Sequence, residues 1–226
     1  VVRQFEAAVA NSQAMLARAF EEVDRLAKSD QELYATYYEL RVMRLPSGSG
    51  LPDAPSWDEL RQRVDMALFG ENREKIRFAA LALDGRGLRN YGNCRVILRE
   101  EMTAHRTSVF EENSVLFMKN RRLEYWDQIP HGFRAGWQER ARICVAKLAD
   151  KLTAAMQPAD FPDILIQDGT GTGCDDFVEA HVFGTLTIRA FQKVFVTRKR
   201  RIPSEAKISA LRHKLTAAGV DCEVIS

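Results

Sequence analysis

Asp175–Phe191 reads DDFVEAHVFGTLTIRAF, and it holds a short apolar run closed by Gly184 that scans as a strand. A period of two places Val178, Ala180 and Val182 on one face and Phe177, Glu179 and His181 on the other. The first set suits a core. The second mixes an aromatic ring with two ionisable groups, the composition of a cleft wall, where a carboxylate would be partly desolvated and able to stabilise developing positive charge. The same pattern also fits a strand whose Glu179 and His181 decorate the wet face of an antiparallel sheet.

Around this strand the chain has 226 residues, 46% hydrophobic and 28% charged, a balance that suits one large domain or two small ones with a real core. The formal charge of +2 creates no bulk field that selects nucleic acid or a membrane. No apolar run approaches the roughly 20 residues of a membrane span, so no membrane partner is expected. The first residues, VVRQFEAAV, read as a helix that starts at once, as in a piece of a longer polypeptide. Cys94, Cys144, Cys174 and Cys222 lack CxxC or Cys/His spacing and read as reduced thiols of a cytoplasmic fold, with no metal site.

The first seventy residues read as helical. Phe5, Val9, Leu16, Phe20, Val23 and Leu26 keep a helical stripe, and Leu33, Tyr34, Tyr37, Tyr38 and Val42 follow on a second helix. LPSGSGLPDAPS (Leu45–Ser56) reads as a loop, and Ser56 to Glu59 as a capping box for a third helix through Leu60, Val64 and Leu68. IRFAALAL (Ile76–Leu83) fits a strand or a buried helical turn. CRVILRE alternates as a strand, HRTSVF is a second strand with Arg106 and Ser108 sharing a face, and DILIQDG and FQKVFVT follow downstream. Between them Trp137, Ala141, Cys144, Val145, Leu148, Leu152 and Met156 predict one long helix stopped by Pro158. A last helix ends at Gly219 before a DCEVI strand. Helices first, then short strands broken by single helices, is an α+β order.

Several enzyme classes drop out. There is no GxGxxG after a strand, no GxxxxGK[ST], no HExxH and no GxSxG. DGTGTGCDD (Asp168–Asp176) is Gly-rich, but no helix follows to aim amides at a phosphate, so it reads as a hairpin connection. The basic run TRKRRIP (Thr197–Pro203) reads as a solvated loop, or as a dock for an acidic protein or RNA.

Tyr91-Gly92, Leu98-Arg99, Arg106-Thr107-Ser108, Asn113-Ser114 and Val178-Glu179-Ala180-His181, with Gly184 closing, occur in an order that resembles mono-ADP-ribosyltransferase domains. The type is the bacterial and phage one found in head-morphogenesis proteins and polymorphic toxins. The likeness runs from about Lys75 to the C-terminus. It does not cover the front of the chain, where the pattern alone gives a helical N-terminal region over residues 1–70. It implies a catalytic domain over residues 71–226, with a split β-sandwich core and interspersed helices. It also implies a toxin or effector activity, in the cytoplasm of the producing cell or of a target cell. Phe177 stands where relatives often carry the first Glu of Glu-x-Glu, and His181 where they often carry Gln, which makes arginine a less expected acceptor.

Such enzymes cleave the nicotinamide–ribose bond of NAD and pass ADP-ribose to a macromolecular acceptor, here a protein in preference to a nucleic acid. NAD would be a substrate, with no metal. An immunity protein, chaperone or host protein would be a further partner. The departing nicotinamide leaves an oxocarbenium-like ribose, which a carboxylate on a rigid strand can stabilise without bonding to it. By that resemblance Glu179 is the catalytic residue. Arg106, Thr107 and Ser108 would hold the NAD phosphates and ribose, with Arg77 a second anchoring arginine. Ser114 would support the cleft, and His181 would contact substrate or orient Glu179. NAD glycohydrolysis and a non-enzymatic protein-interaction module are the alternatives.

Overall fold

The computed structural model describes residues 1–42, 55–123, 127–170, 174–198 and 203–225. From the N-terminus come α1 (Val2–Ala10), β1 (Gln13–Arg18), α2 (Phe20–Leu26), α3 (Tyr37–Val42) and α4 (Pro55–Phe69). Next are β2 (Ile76–Ala82), β3 (Cys94–Leu98), α5 (Glu100–Thr103), β4 (Thr107–Phe110), α6 (Ser114–Arg121) and β5 (Arg134–Gly136). The C-terminal half adds α7 (Arg140–Leu148), α8 (Phe161–Leu165), β6 (Ile166–Gln167), β7 (Asp176–Phe177), β8 (Glu179–Phe183), β9 (Phe191–Thr197), α9 (Glu205–Ala217) and β10 (Asp221–Ile225). The fold is α+β. Among the described residues no helix is long and apolar enough to cross a membrane.

Eight strands form one hydrogen-bonded series in the order β10-β9-β3-β1-β2-β8-β4-β5, and β6 and β7 make a separate pair. The resemblance implied a sandwich split in two; the strands found are one mixed series. All neighbours in it are antiparallel except β9 and β10, which are joined through α9. One face of the sheet carries Leu16, Leu81, Val96, Val109, Ala180, Val182 and Val194 into the main core, with apolar residues of α1, α2, α7, α8 and α9. The alternation read for β3 and β8 is the one observed.

The N-terminal part departs from the helical reading. Gln13–Arg18 is a strand, paired with β2 on one side and β3 on the other, so a boundary at residue 70 divides one sheet. The reason is burial on both faces: Ala14, Met15, Leu16 and Ala17 are all buried. A strand with no wet face shows no polar alternation, and Ala, Met and Leu then fit a helical stripe equally well. The helix expected from Trp137 to Met156 is also shorter. α7 ends at Leu148 and tightens into a 3-10 turn over Ala149–Lys151, while Leu152 and Met156 still pack on the core. DILIQDG is a strand over only two residues, since α8 runs through Leu165 and leaves Ile166–Gln167 to β6.

The glycine-rich connection joins β6 to β7 as an antiparallel pair, with Ile166 opposite Phe177; residues 171–173 lie outside the described residues. So do most of the Leu45–Ser56 loop and residues 199–202 of the basic run, whereas α4 already begins at Pro55, so Ser56 falls inside its first turn rather than ahead of it. Gly92, read as part of a Tyr-Gly motif, has φ +133°, and a Cβ there would lie 2.2 Å from the Arg18 carbonyl carbon. Glycine is needed for both reasons.

Because β1 is hydrogen-bonded on both edges and Leu16 is fully buried, Leu16→Ala is expected to lower the urea-unfolding free energy by about 3 kcal/mol. Leu33→Ala, at a site 49% exposed, is expected to cost under about 0.5 kcal/mol in the same measurement.

Candidate functional site

With Val178, Ala180 and Val182 committed to the main core, the strand period turns Glu179 and His181 to the opposite face. There α4 and α6 cover the sheet: Val64 and Leu68 of α4 pack with Phe110, Val115, Phe117 and Met118. The wet-face alternative does not hold. Glu179 is 2% exposed and His181 is 1% exposed. In register, Glu179 lies between Ala80 of β2 and Phe110 of β4, and His181 between Phe78 and Ser108. A small residue at Ala80 leaves room beside the carboxylate. Glu179 lines a small pocket, of about 80 Å³, with Ala17, Arg18, Arg61, Phe78, Tyr91 and Phe177 among its walls.

The two oxygens of Glu179 are used differently. Oε2 accepts the Ser114 backbone N–H at 3.0 Å and lies 3.1 Å from His181 Nε2. Ser114 is the first residue of α6, and the residue before it, Asn113, caps that helix by accepting the Val115 N–H. Asn113 also donates to the Asp175 carbonyl at 3.0 Å, which ties the helix start to the loop entering β7. Oε1 accepts no hydrogen bond among the described residues and sits 3.6 Å from Arg61 Nη1. Burial alone would push the Glu179 carboxyl up, but Arg61, His181 and the Ser114 amide together hold it down at about 2. It is therefore ionised.

Burial also lowers the pKa of His181, against the pull of Glu179. An ionised carboxylate can only accept, so the neutral imidazole carries its hydrogen on Nε2. Its Nδ1 has no hydrogen-bond partner among the described residues, and its ring is packed by Phe69 and Phe78 at 4.8 and 5.5 Å.

Arg61 is shared between two buried carboxylates. Its Nη2 lies 2.6 Å from Asp65 Oδ1, one helical turn along α4, and its guanidinium stacks 3.7 Å above the Phe78 ring. Asp65 is fully buried and accepts a hydrogen bond from Tyr38 Oη at 2.8 Å. Burial raises the Asp65 pKa in spite of Arg61. Arg18, at the end of β1, stacks 4.5 Å over Tyr34 and donates to its neighbour's carbonyl; no carboxylate forms an ion pair with it among the described residues.

Of the residues singled out from sequence, Glu179, His181 and Ser114 meet, Ser114 through its backbone rather than its hydroxyl. Ser108 faces His181, but its hydroxyl is taken by Arg134 at 3.1 and 3.2 Å. The other three lie elsewhere. Thr107 pairs with Val182 and turns its hydroxyl back to the Thr103 carbonyl. Arg106 precedes β4 instead of sharing a face with Ser108, and caps the Met102 and Phe183 carbonyls. Arg77 also pairs with Val182, on the face away from Glu179, and donates to the Lys75 and Tyr34 carbonyls. Neither arginine lines the pocket. The arginines that do, Arg18 and Arg61, come from the part read as a helical front. Arg61 and Asp65 at i and i+4 were the visible signal, but that spacing is commonplace on exposed helices.

Among the described residues no group of three or more His, Cys, Asp or Glu is placed to hold a metal ion. No family model matches the chain, and no curated protein matches it.

Both buried groups should make the protein acid-sensitive, and the signs agree. His181 has a lowered folded pKa, so below its ordinary 6.5 the unfolded chain binds a proton that the folded chain refuses. Stability from this group is complete above about pH 6.5 and falls below it by up to about 1.4 kcal/mol per pH unit. The Glu179 contribution is lost between its ordinary 4.5 and about 2. Thermal midpoints against pH are expected to fall in two stages, and His181→Asn is expected to remove the upper one.

Proposed function

We propose that the protein is an NAD-dependent mono-ADP-ribosyltransferase with Glu179 as its catalytic carboxylate, acting on a macromolecular acceptor as an effector or toxin domain. The observation that carries this reading is the division of labour at Glu179. Two donors lock Oε2, and Oε1 is left without a hydrogen bond beside a pocket. A buried polar atom in a native structure usually has a hydrogen-bond partner, so an unbonded carboxylate oxygen on a pocket-lining residue calls for a reason, and a ligand supplies one.

In the reaction the bond between the nicotinamide nitrogen and the ribose breaks, and its electron pair leaves with nicotinamide. The ribose becomes oxocarbenium-like, and Oε1 accepts a hydrogen bond from a ribose hydroxyl and faces the growing charge. An acceptor nucleophile then bonds to that carbon and loses its proton. Low dielectric around a fully buried carboxylate strengthens the attraction, and the strand that carries it sits between β2 and β4, so little reorganisation is needed. Arg18, with no carboxylate partner among the described residues, is the group suited to the dinucleotide phosphates in place of Arg77 and Arg106. Phe78, Tyr91 and Phe177 offer flat apolar surface to a ring.

Incubation with NAD⁺ is expected to release nicotinamide, and Glu179→Gln to lower the rate by at least about 100-fold. Equal inertness of the two proteins would sink the reading. Label from NAD⁺ is expected on a macromolecule, and free ADP-ribose as the sole product would point to hydrolysis. Ala80→Leu, which fills the space beside the carboxylate without touching its donors, is expected to raise KM for NAD⁺ by about tenfold or more.

A further inference from the structure

Granted that Glu179 is the catalytic carboxylate, we propose that helix α4 supplies its positioning residue. In this role Arg61 keeps Glu179 anionic while leaving Oε1 unbonded, and Asp65 holds the guanidinium back from that oxygen.

The distances carry the argument. One guanidinium serves two carboxylates that are both almost wholly buried, and it lies 2.6 Å from Asp65 but 3.6 Å from Glu179. At 3.6 Å the charge is still felt, but no hydrogen bond is made. Oε1 therefore keeps its lone pairs for a ligand. Were Asp65 absent, the same guanidinium would close on Oε1 and occupy the acceptor that the substrate needs. Two further contacts hold it in place. Phe78 fixes the guanidinium plane from below, and Tyr38 of α3 fixes the Asp65 carboxylate through its other oxygen.

The remaining neighbours leave this task to Arg61. His181 on β8 is neutral, the α6 contribution is a single backbone N–H, and the flanking residues on β2 and β4 are Ala80 and Phe110. Arg134 of β5 reaches the Ser108 hydroxyl, and Arg18 and Tyr91 line the pocket without an ion pair to Glu179. Among the described residues Arg61 is the only Lys or Arg within 4.0 Å of the carboxylate. A buried carboxylate without a counter-charge becomes neutral at pH 7, and a neutral acid cannot stabilise a cationic ribose. Residues 61 and 65, far from the motifs around β8, would thus set the chemistry of that strand.

The test uses the whole chain with ¹³C-labelled glutamate carboxyls, assigned by the Glu179→Gln variant. Arg61→Met combined with Asp65→Asn removes one cation and one anion together, so α4 keeps no bare charge and the fold is spared. In the wild type the Glu179 signal is expected to stay flat from about pH 4 to about pH 9, and in the double variant to titrate inside that window. Arg61→Lys is expected to stay flat. In parallel, the acid limb of nicotinamide release is expected to move up by about six pH units in the double variant. Its rate at about pH 6 is expected to be roughly 100-fold lower and to recover on the alkaline side. Asp65→Asn alone is expected to slow release about tenfold without moving that limb. A Glu179 that stays ionised throughout in the double variant overturns the inference, as does a pH profile of release that superimposes on the wild type. Absence of nicotinamide release from the wild type would overturn the enzymatic reading instead, and the titration would still decide what Arg61 does to Glu179.

Discussion

A carboxylate that is 2% exposed can remain charged only where donors and a counter-charge converge on it, and that requirement organises the molecule around Glu179. The three groups that meet it come from three elements: the α6 amide, the β8 imidazole and the α4 guanidinium. Each is held by something else. Asn113 is tied to Asp175, His181 is boxed by Phe69 and Phe78, and Arg61 is held by Asp65 and Phe78. Loss of any one support would move a group that cannot be replaced by water.

The site is therefore a product of the whole sheet rather than of a catalytic segment with a helical appendage. β1, deep in the N-terminal part, is paired with β2 and β3, and it carries Arg18 to the same pocket as Glu179. Gly92 presses against the backbone that follows this arginine, so the Tyr-Gly motif has a packing role at the end of β1. α4 docks through its own apolar cluster with Phe110 and Phe117, separate from the main core on the other face. That placement lets a charged pair sit over the sheet while Val64 and Leu68 provide the burial that holds the helix.

Parts of this were legible in the chain. The alternation of Val178, Ala180 and Val182 against Phe177, Glu179 and His181 needs only the period of a strand, and it holds residue by residue. Asn113-Ser114 was visible as a motif, and the pair forms the cap and first residue of α6. Other parts were hidden for definite reasons. β1 has both faces buried and no polar beat to mark it. α7 stops at Leu148, though the apolar spacing runs on to Met156, because periodicity marks which residues reach a core and not whether the backbone ladder continues. Arg106 and Arg77 share a neighbourhood in sequence with the right strands, yet one precedes its strand and the other lies on the wrong face.

What the amino-acid sequence by itself determined is local. It set which side chains share a face of β8, which residues are apolar enough for a core, and that helices and strands mix in an α+β order. The tertiary structure alone decided that the face with Glu179 is roofed by α4 and α6, that Arg61 and Arg18 line the pocket while Arg77 and Arg106 do not, and that one carboxylate oxygen is locked and the other free. The reason is physical. Side-chain direction follows from a backbone period of two or 3.6 residues. A guanidinium at residue 61 meets a carboxylate at residue 179 only when strand pairing and helix docking have brought together elements far apart in the chain.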